Sequence, residues 1–202
     1  MTKFWNDNRG QTFVEAMLAM TIIITSVSSA MVLVQASINS SRLGGAQIVA
    51  ANLAREGIEV VRSLRDSNWL QGNSFSVGMT NATAVTARPR LDPASGVWRL
   101  DFGVLTLSDP LVQIKLSPNG LYQYPDDAAV NASNTGFRRL ITMGKICRHN
   151  GTTNERIESA VGGNCNVSET WIGLAATSQV QYITNNNNYA SVTVEERLYD
   201  WR

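Results

Sequence analysis

The chain has 202 residues, 17 basic and 16 acidic side chains and a formal net charge of +1, which leaves no electrostatic footprint for nucleic acid. That length suits one domain of moderate size plus an anchor, and the domain is large enough to bury a core of its own. With one histidine and no His-Glu-x-x-His, Gly-x-Ser-x-Gly or phosphate-loop motif, there is no catalytic constellation, and neither enzymatic activity nor a cofactor is expected.

Residues 1–10 form a polar, mildly basic leader with Lys3, Asp7 and Arg9, ending at Gly10. The chain then turns apolar. No charged residue occurs from Ala16 to Ser41, and Ala16–Val34 is rich in Ala, Met, Ile, Leu and Val. As a helix those positions span roughly 28 Å, close to the hydrocarbon thickness of a bilayer. Residues 11–41 are therefore predicted as a membrane-spanning helical segment. Glu15 stands at its head. A carboxylate there is costly unless something neutralises it, so it asks for a partner. The plainer reading is a first-turn Glu that favours the helix dipole among lipid headgroups. Ser28-Ser29-Ala30 loosely imitates a secretory cleavage site, but ordinary secretory signals have a shorter apolar region.

After Gly44-Gly45 the helical pattern resumes over residues 42–66 as an amphipathic half. Ala46, Val49, Ala50, Leu53, Gly57, Val60, Val61 and Leu64 form one apolar stripe. Arg55, Glu59, Arg62 and Asp66 fall on another face and read as a solvated charge row, each pair adding only ~0.2–0.5 kcal/mol. Thr12 to Arg65 is thus predicted as one helix of ~80 Å, loosened at the glycine pair and ended by Asp66-Ser67-Asn68.

Residues 67–202 switch to strand periodicity. Residues 71–96 read as a loop closed by Asp92-Pro93 and Ser95-Gly96. Strands are predicted over Val97–Phe102, Leu111–Leu116 and Leu121–Tyr124, the last two joined by the turn Ser117-Pro118-Asn119-Gly120. Further strands are expected at Phe137–Thr142, Lys145–Arg148 and Trp171–Leu174. Val180–Ile183 and Val192–Leu198 flank an Asn-rich hairpin tip at 185–188. Asp126-Asp127, after Pro125, reads as an exposed loop rather than a paired-carboxylate site. The Asn-x-Ser/Thr sequons at Asn81, Asn131, Asn150 and Asn166 matter only in a host that glycosylates. Cys147 and Cys165 lie in the part expected to leave the cytoplasm, where such a pair reads first as a disulfide. His149 admits a metal reading, but the spacing of these three residues matches no zinc template, so no metal is expected. The sum is an α+β fold: an antiparallel sheet whose apolar face is covered by the amphipathic half of the helix.

The order Arg9-Gly10-Gln11-Thr12-Phe13-Val14-Glu15-Ala16, followed by a long apolar helix, resembles the class III signal of type IV pilins and type II secretion pseudopilins. One departure is Gln11, where that family usually carries Phe or Met. The resemblance implies a pilin-like fold and a prepilin peptidase that cuts after Gly10. Gln11 would then be the first mature residue, N-methylated on its amine. Glu15 would pair with the amine of a neighbouring subunit and set the axial register. The implied partners are other pilin subunits, the inner-membrane pilus assembly machinery and, before assembly, membrane lipid. The implied location is the cytoplasmic membrane in single-pass form with the N-terminus cytoplasmic, then an extracellular pilus or periplasmic pseudopilus. Residues 192–201 also look like the closing strand of some minor pilins and pseudopilins. The rival expectation is a membrane-anchored extracellular binding or adhesin domain that uses the helix only as a tether.

Overall fold

The computed structural model describes residues 9–92, 95–103, 105–127, 131–184 and 188–201, with side chains described from Thr12 onward. The leader up to residue 8 and most of the Asn-rich tip lie outside the described residues. The chain divides into two compact units at Gly45 and Ala46.

Helix α1 runs from Arg9 to Leu70, longer at both ends than the predicted Thr12–Arg65. It passes through Gly44-Gly45 without interruption, a correction to the expected loosening. Two glycines cost about 2 kcal/mol of helix propensity, which long helical flanks on either side can absorb because propagation is cooperative. Asp66-Ser67-Asn68 does not end the helix either. The buried Asn68 spends its side-chain amide on the Phe75 and Val77 carbonyls, at 3.1 and 2.8 Å, and so ties down the chain beyond the helix. The helix ends at Leu70, and Gly72 just beyond it, with a φ of 73°, takes the left-handed conformation common after a helix C-terminus.

In the first unit, α1 is exposed along its apolar run. In the second unit, the predicted stripe packs on a sheet. Ala50, Leu53 and Ala54 join Ile114, Tyr124, Val180 and Tyr182 in one cluster. Ile58, Val61 and Trp69 join Ile141, Met143, Leu174 and Leu198 in another. Approach is closest at Gly57, where a Cβ would lie 2.6 Å from the Ser178 hydroxyl.

The sheet has eight strands, all of whose described pairings are antiparallel. They are β1 (Thr86–Leu91), β2 (Trp98–Gly103), β3 (Gln113–Leu116), β4 (Tyr122–Gln123), β5 (Ser133–His149), β6 (Glu155–Glu158), β7 (Glu169–Ile183) and β8 (Tyr189–Tyr199). The 17-residue β5 organises them. Along one side it pairs with β7, which carries β8. Along the other it takes β3, β1 and β6 in succession, with β4 on β3 and β2 on β1. The α+β expectation therefore holds.

Several element boundaries are corrected. The segment 71–96 is not all loop, since β1 occupies its second half. Phe137–Thr142 and Lys145–Arg148 are one strand, continuous through Met143-Gly144. Gly144 is needed there because a Cβ would meet Ile157 of β6 at 2.8 Å. Trp171–Leu174 and Val180–Ile183 likewise belong to one strand, β7. The strand expected from Leu111 begins two residues later, behind a short 3-10 turn at Pro110–Val112. Strand β6 was not anticipated.

Candidate functional site

Among the described residues, one helix, α1, is long and apolar enough to cross a membrane. Phe13, Ile24 and Leu33 are exposed by 66, 64 and 70%, which in water is the wrong way round for a large apolar surface. Its hydroxyls fit an apolar surrounding. Thr21 donates to the Met17 and Leu18 carbonyls at 3.1 and 2.8 Å, and Thr25 to the Thr21 and Ile22 carbonyls at 2.9 and 3.0 Å. Ser26 donates to the Ile22 carbonyl at 2.7 Å and Ser29 to the Thr25 carbonyl at 2.8 Å. These four hydroxyls are thus satisfied by the helix itself, as a lipid or protein interior requires.

Gly10 and Gln11 lie in the first turn of α1. Glu15 is exposed and sits four residues after Gln11, so the two positions share one helix face a turn apart. It is the sole ionisable side chain between Arg9 and Arg42.

In the second unit Cys147 of β5 is bonded to Cys165, with their Cα atoms 5.4 Å apart. The bridge consumes both thiolates that a metal reading through His149 needs. The His149 ring Nδ1 lies 3.0 Å from the Asn150 carbonyl, and no metal-binding group of three such side chains occurs among the described residues.

The charge row on the helix is only partly solvated. Arg62 reaches across to β8, where its guanidinium meets both carboxylate oxygens of Glu196, Nε to Oε1 at 3.1 Å, and it also pairs with Glu59. That bidentate contact holds the Arg62 guanidinium above its usual range. Asp126-Asp127 lies in a turn with Asp126 exposed, as expected, but both carboxylates are paired. Arg88 of β1, nearly buried, donates to Asp101 at 2.7 Å and to Asp126 at 2.6 Å. Arg90 grips Asp127 with contacts of 2.6–2.9 Å. The Arg88 hydrogen bond holds the Asp126 carboxyl below the ordinary carboxylate range. This loop is therefore an acidic clamp on β1.

Sequence reasoning missed a third network. Arg139 of β5 has a side chain only 3% exposed, facing Glu56 of the helix at 3.2 Å. Its Nε donates to the Tyr124 hydroxyl at 2.9 Å and its Nη1 to the Leu53 carbonyl at 3.1 Å. Burial pushes the Tyr124 phenol up from its usual value. No local signal marks this set, because its members are scattered over 86 residues of chain.

No protein-family model, curated protein or solved structure matches the chain.

Proposed function

We propose that this chain is a structural subunit of a type IV pilus or a related pseudopilus, with a pilin-like fold, processed after Gly10 and assembled through its N-terminal helix. The observation that carries this reading is the isolated carboxylate of Glu15, heading the exposed apolar run of α1, in which Thr21, Thr25, Ser26 and Ser29 donate to the helix's own carbonyls. Such a helix is stable in lipid and can also pack among copies of itself, since both surroundings bury the same apolar surface. The resemblance of residues 9–16 to the prepilin signal and the disulfide in the second unit support the same reading.

Assembly, not turnover, is the mechanism. A prepilin peptidase cuts the Gly10–Gln11 bond at the cytoplasmic face of the membrane. The new α-amine on Gln11 is methylated and stays cationic. In the filament, Glu15 of one subunit faces the amine of a neighbour. Each charge then offsets the cost of burying the other, and the pair accepts a single axial register. The partners are the peptidase, other subunits and the inner-membrane assembly machinery.

The test is the mature N-terminus. Mass spectrometry of the membrane-extracted protein should find a chain starting at Gln11 with a methylated amine, and Gly10→Val should leave the precursor uncut in the membrane. Intact Met1–Gly10 on surface filaments would overturn the proposal. An uncut chain that never enters filaments would mark the helix as a tether for a binding domain.

A further inference from the structure

Within the second unit, the end of β1, the start of β2 and the β4 segment line a half-open cavity of about 530 Å³. That volume falls in the range of small-molecule sites, about 300–1,000 Å³. Its apolar wall comes from Trp98, Tyr122, Leu91 and Leu121, and Leu121 and Tyr122 are 56 and 39% exposed. Its polar wall is held in place by ion pairs. Arg90 binds Asp127 through two nitrogens, Asp126 is held by Arg88, and Glu56 faces Arg139. The Gln123 carbonyl accepts from the Ser117 hydroxyl, which directs the use of its amide to the NH₂ donors.

This wall selects by chemistry. Every carboxylate lining the cavity already has a guanidinium, so a charged ligand must displace an existing partner. A purely apolar ligand would strip water from several charged edges and give nothing back. The fitting ligand has a rim of neutral donors and acceptors and an apolar face. A pyranose ring has both: its hydroxyls pair with carboxylate, guanidinium and amide edges, and its C–H face lies on an aromatic ring.

We propose that this cavity binds a neutral saccharide, with Trp98 and Tyr122 as its stacking faces and the Arg90–Asp127 pair and Gln123 as its hydrogen-bonding edges. The site lies within residues 46–202 and stands whether or not the chain assembles into filaments.

The test is saturation-transfer NMR on the full chain in deuterated detergent micelles, with glucose, galactose, fucose and N-acetylglucosamine as probes and glucose 6-phosphate as the charged control. Transfer to the ring protons of at least one neutral sugar is expected, with weaker transfer to the phosphate. Trp98→Ala should lower it about tenfold, the equivalent of one lost stacking contact, and Trp98→Phe should restore part of it. Trp98 pairs with Leu91 in the β1–β2 ladder, so Trp98→Ala can disturb that hairpin. Should circular dichroism show that it does, Tyr122→Ser on the short β4 decides in its place. No transfer to any neutral sugar, transfer as strong to the phosphate, or transfer unchanged in the folded variants would overturn the proposal.

Discussion

Glu56→Gln tests how the helix is fastened to the sheet. The change keeps the shape and removes the charge that faces Arg139 at 3.2 Å. Arg139 then retains the Tyr124 hydroxyl and the Leu53 carbonyl, two neutral acceptors around a full charge that is 97% out of water. Breaking a fully buried pair from one side costs ~3–5 kcal/mol. The Glu56 side chain is 40% exposed, so solvent already screens part of the attraction, and the expected loss is about 2–3 kcal/mol. Arg139→Met should cost a similar amount, since the Tyr124 hydroxyl loses its donor and keeps only the residue-139 carbonyl at 3.5 Å and the Leu53 carbonyl loses its guanidinium, while Glu56 can turn to water. The double variant should be less destabilised than the sum of the two, with a coupling of about 1–2 kcal/mol. Urea unfolding of the full chain in micelles, followed by tryptophan emission and fitted only where the transition is two-state, gives all the values needed. A Glu56→Gln loss below about 0.5 kcal/mol, the scale of ordinary surface changes, would refute the reasoning. So would strictly additive single variants. Arg139 would then be sufficiently held by neutral acceptors and by the Tyr124 ring, 5.4 Å from its guanidinium carbon.

Other outcomes follow from the same physics. Glu15→Ala should still insert in the membrane, since losing a dipole contact costs only ~0.3–1 kcal/mol, but enter sheared filaments poorly, since an unpaired buried amine costs ~3–5 kcal/mol. Normal incorporation, read by immunoblot of the two fractions, would remove Glu15 as the register device. Replacing Cys147 and Cys165 together by Ala opens a loop with a sequence separation of 18 and should lower stability by about 3 kcal/mol, measured by the same urea titration. Gly173→Ala sets a Cβ 2.5 Å from the Leu198 carbonyl oxygen, forcing β7 from β8 at a cost of about 1–3 kcal/mol; an unchanged melting temperature would contradict this. The Arg156 guanidinium, helped by the Asn166 N–H, holds the Glu169 carboxyl down to about 2. Because the folded value lies below the unfolded one, this contribution is complete above the ordinary carboxylate range, ~4.3, and is lost as pH falls from there toward about 2. Thermal melts of Glu169→Gln should therefore show a shallower acid decline than the unaltered chain.

What could be read from the chain alone divides along local and distant causes. The helix was legible because its stripe repeats every turn, and β8 because Val192, Val194 and Leu198 alternate with exposed neighbours. Strand β1 was not, since Thr-Ala-Arg-Pro-Arg-Leu looks like loop. Its arginines become tolerable only through Asp101, Asp126 and Asp127. Pro89 is tolerated because β5 pairs with β1 only at Thr86 and Ala87, so beyond them that edge of β1 asks for no N–H. The gap expected between Thr142 and Lys145 has a similar reason, because Gly144 answers to β6, which crowds it and carries no local signal of its own. Of the candidate functional residues, Glu15 stands out in sequence by its isolation. The cavity does not, because its walls come from five stretches of chain between Glu56 and Arg139 and meet only once the sheet has formed.

The hydroxyls of α1 that bond back to their own carbonyls have a consequence for how the helix meets its neighbours. Donors spent on the backbone have no outward direction, so Thr21, Thr25, Ser26 and Ser29 do not reward one rotation of the helix over another. Along that stretch these four side chains give the helix no preferred rotation against an apolar neighbour. Such a surface accepts company of many sequences. If the chain assembles as proposed, it can share a bundle with helices unlike itself, the pairing of Glu15 with an amine then setting the register rather than matched side-chain shapes.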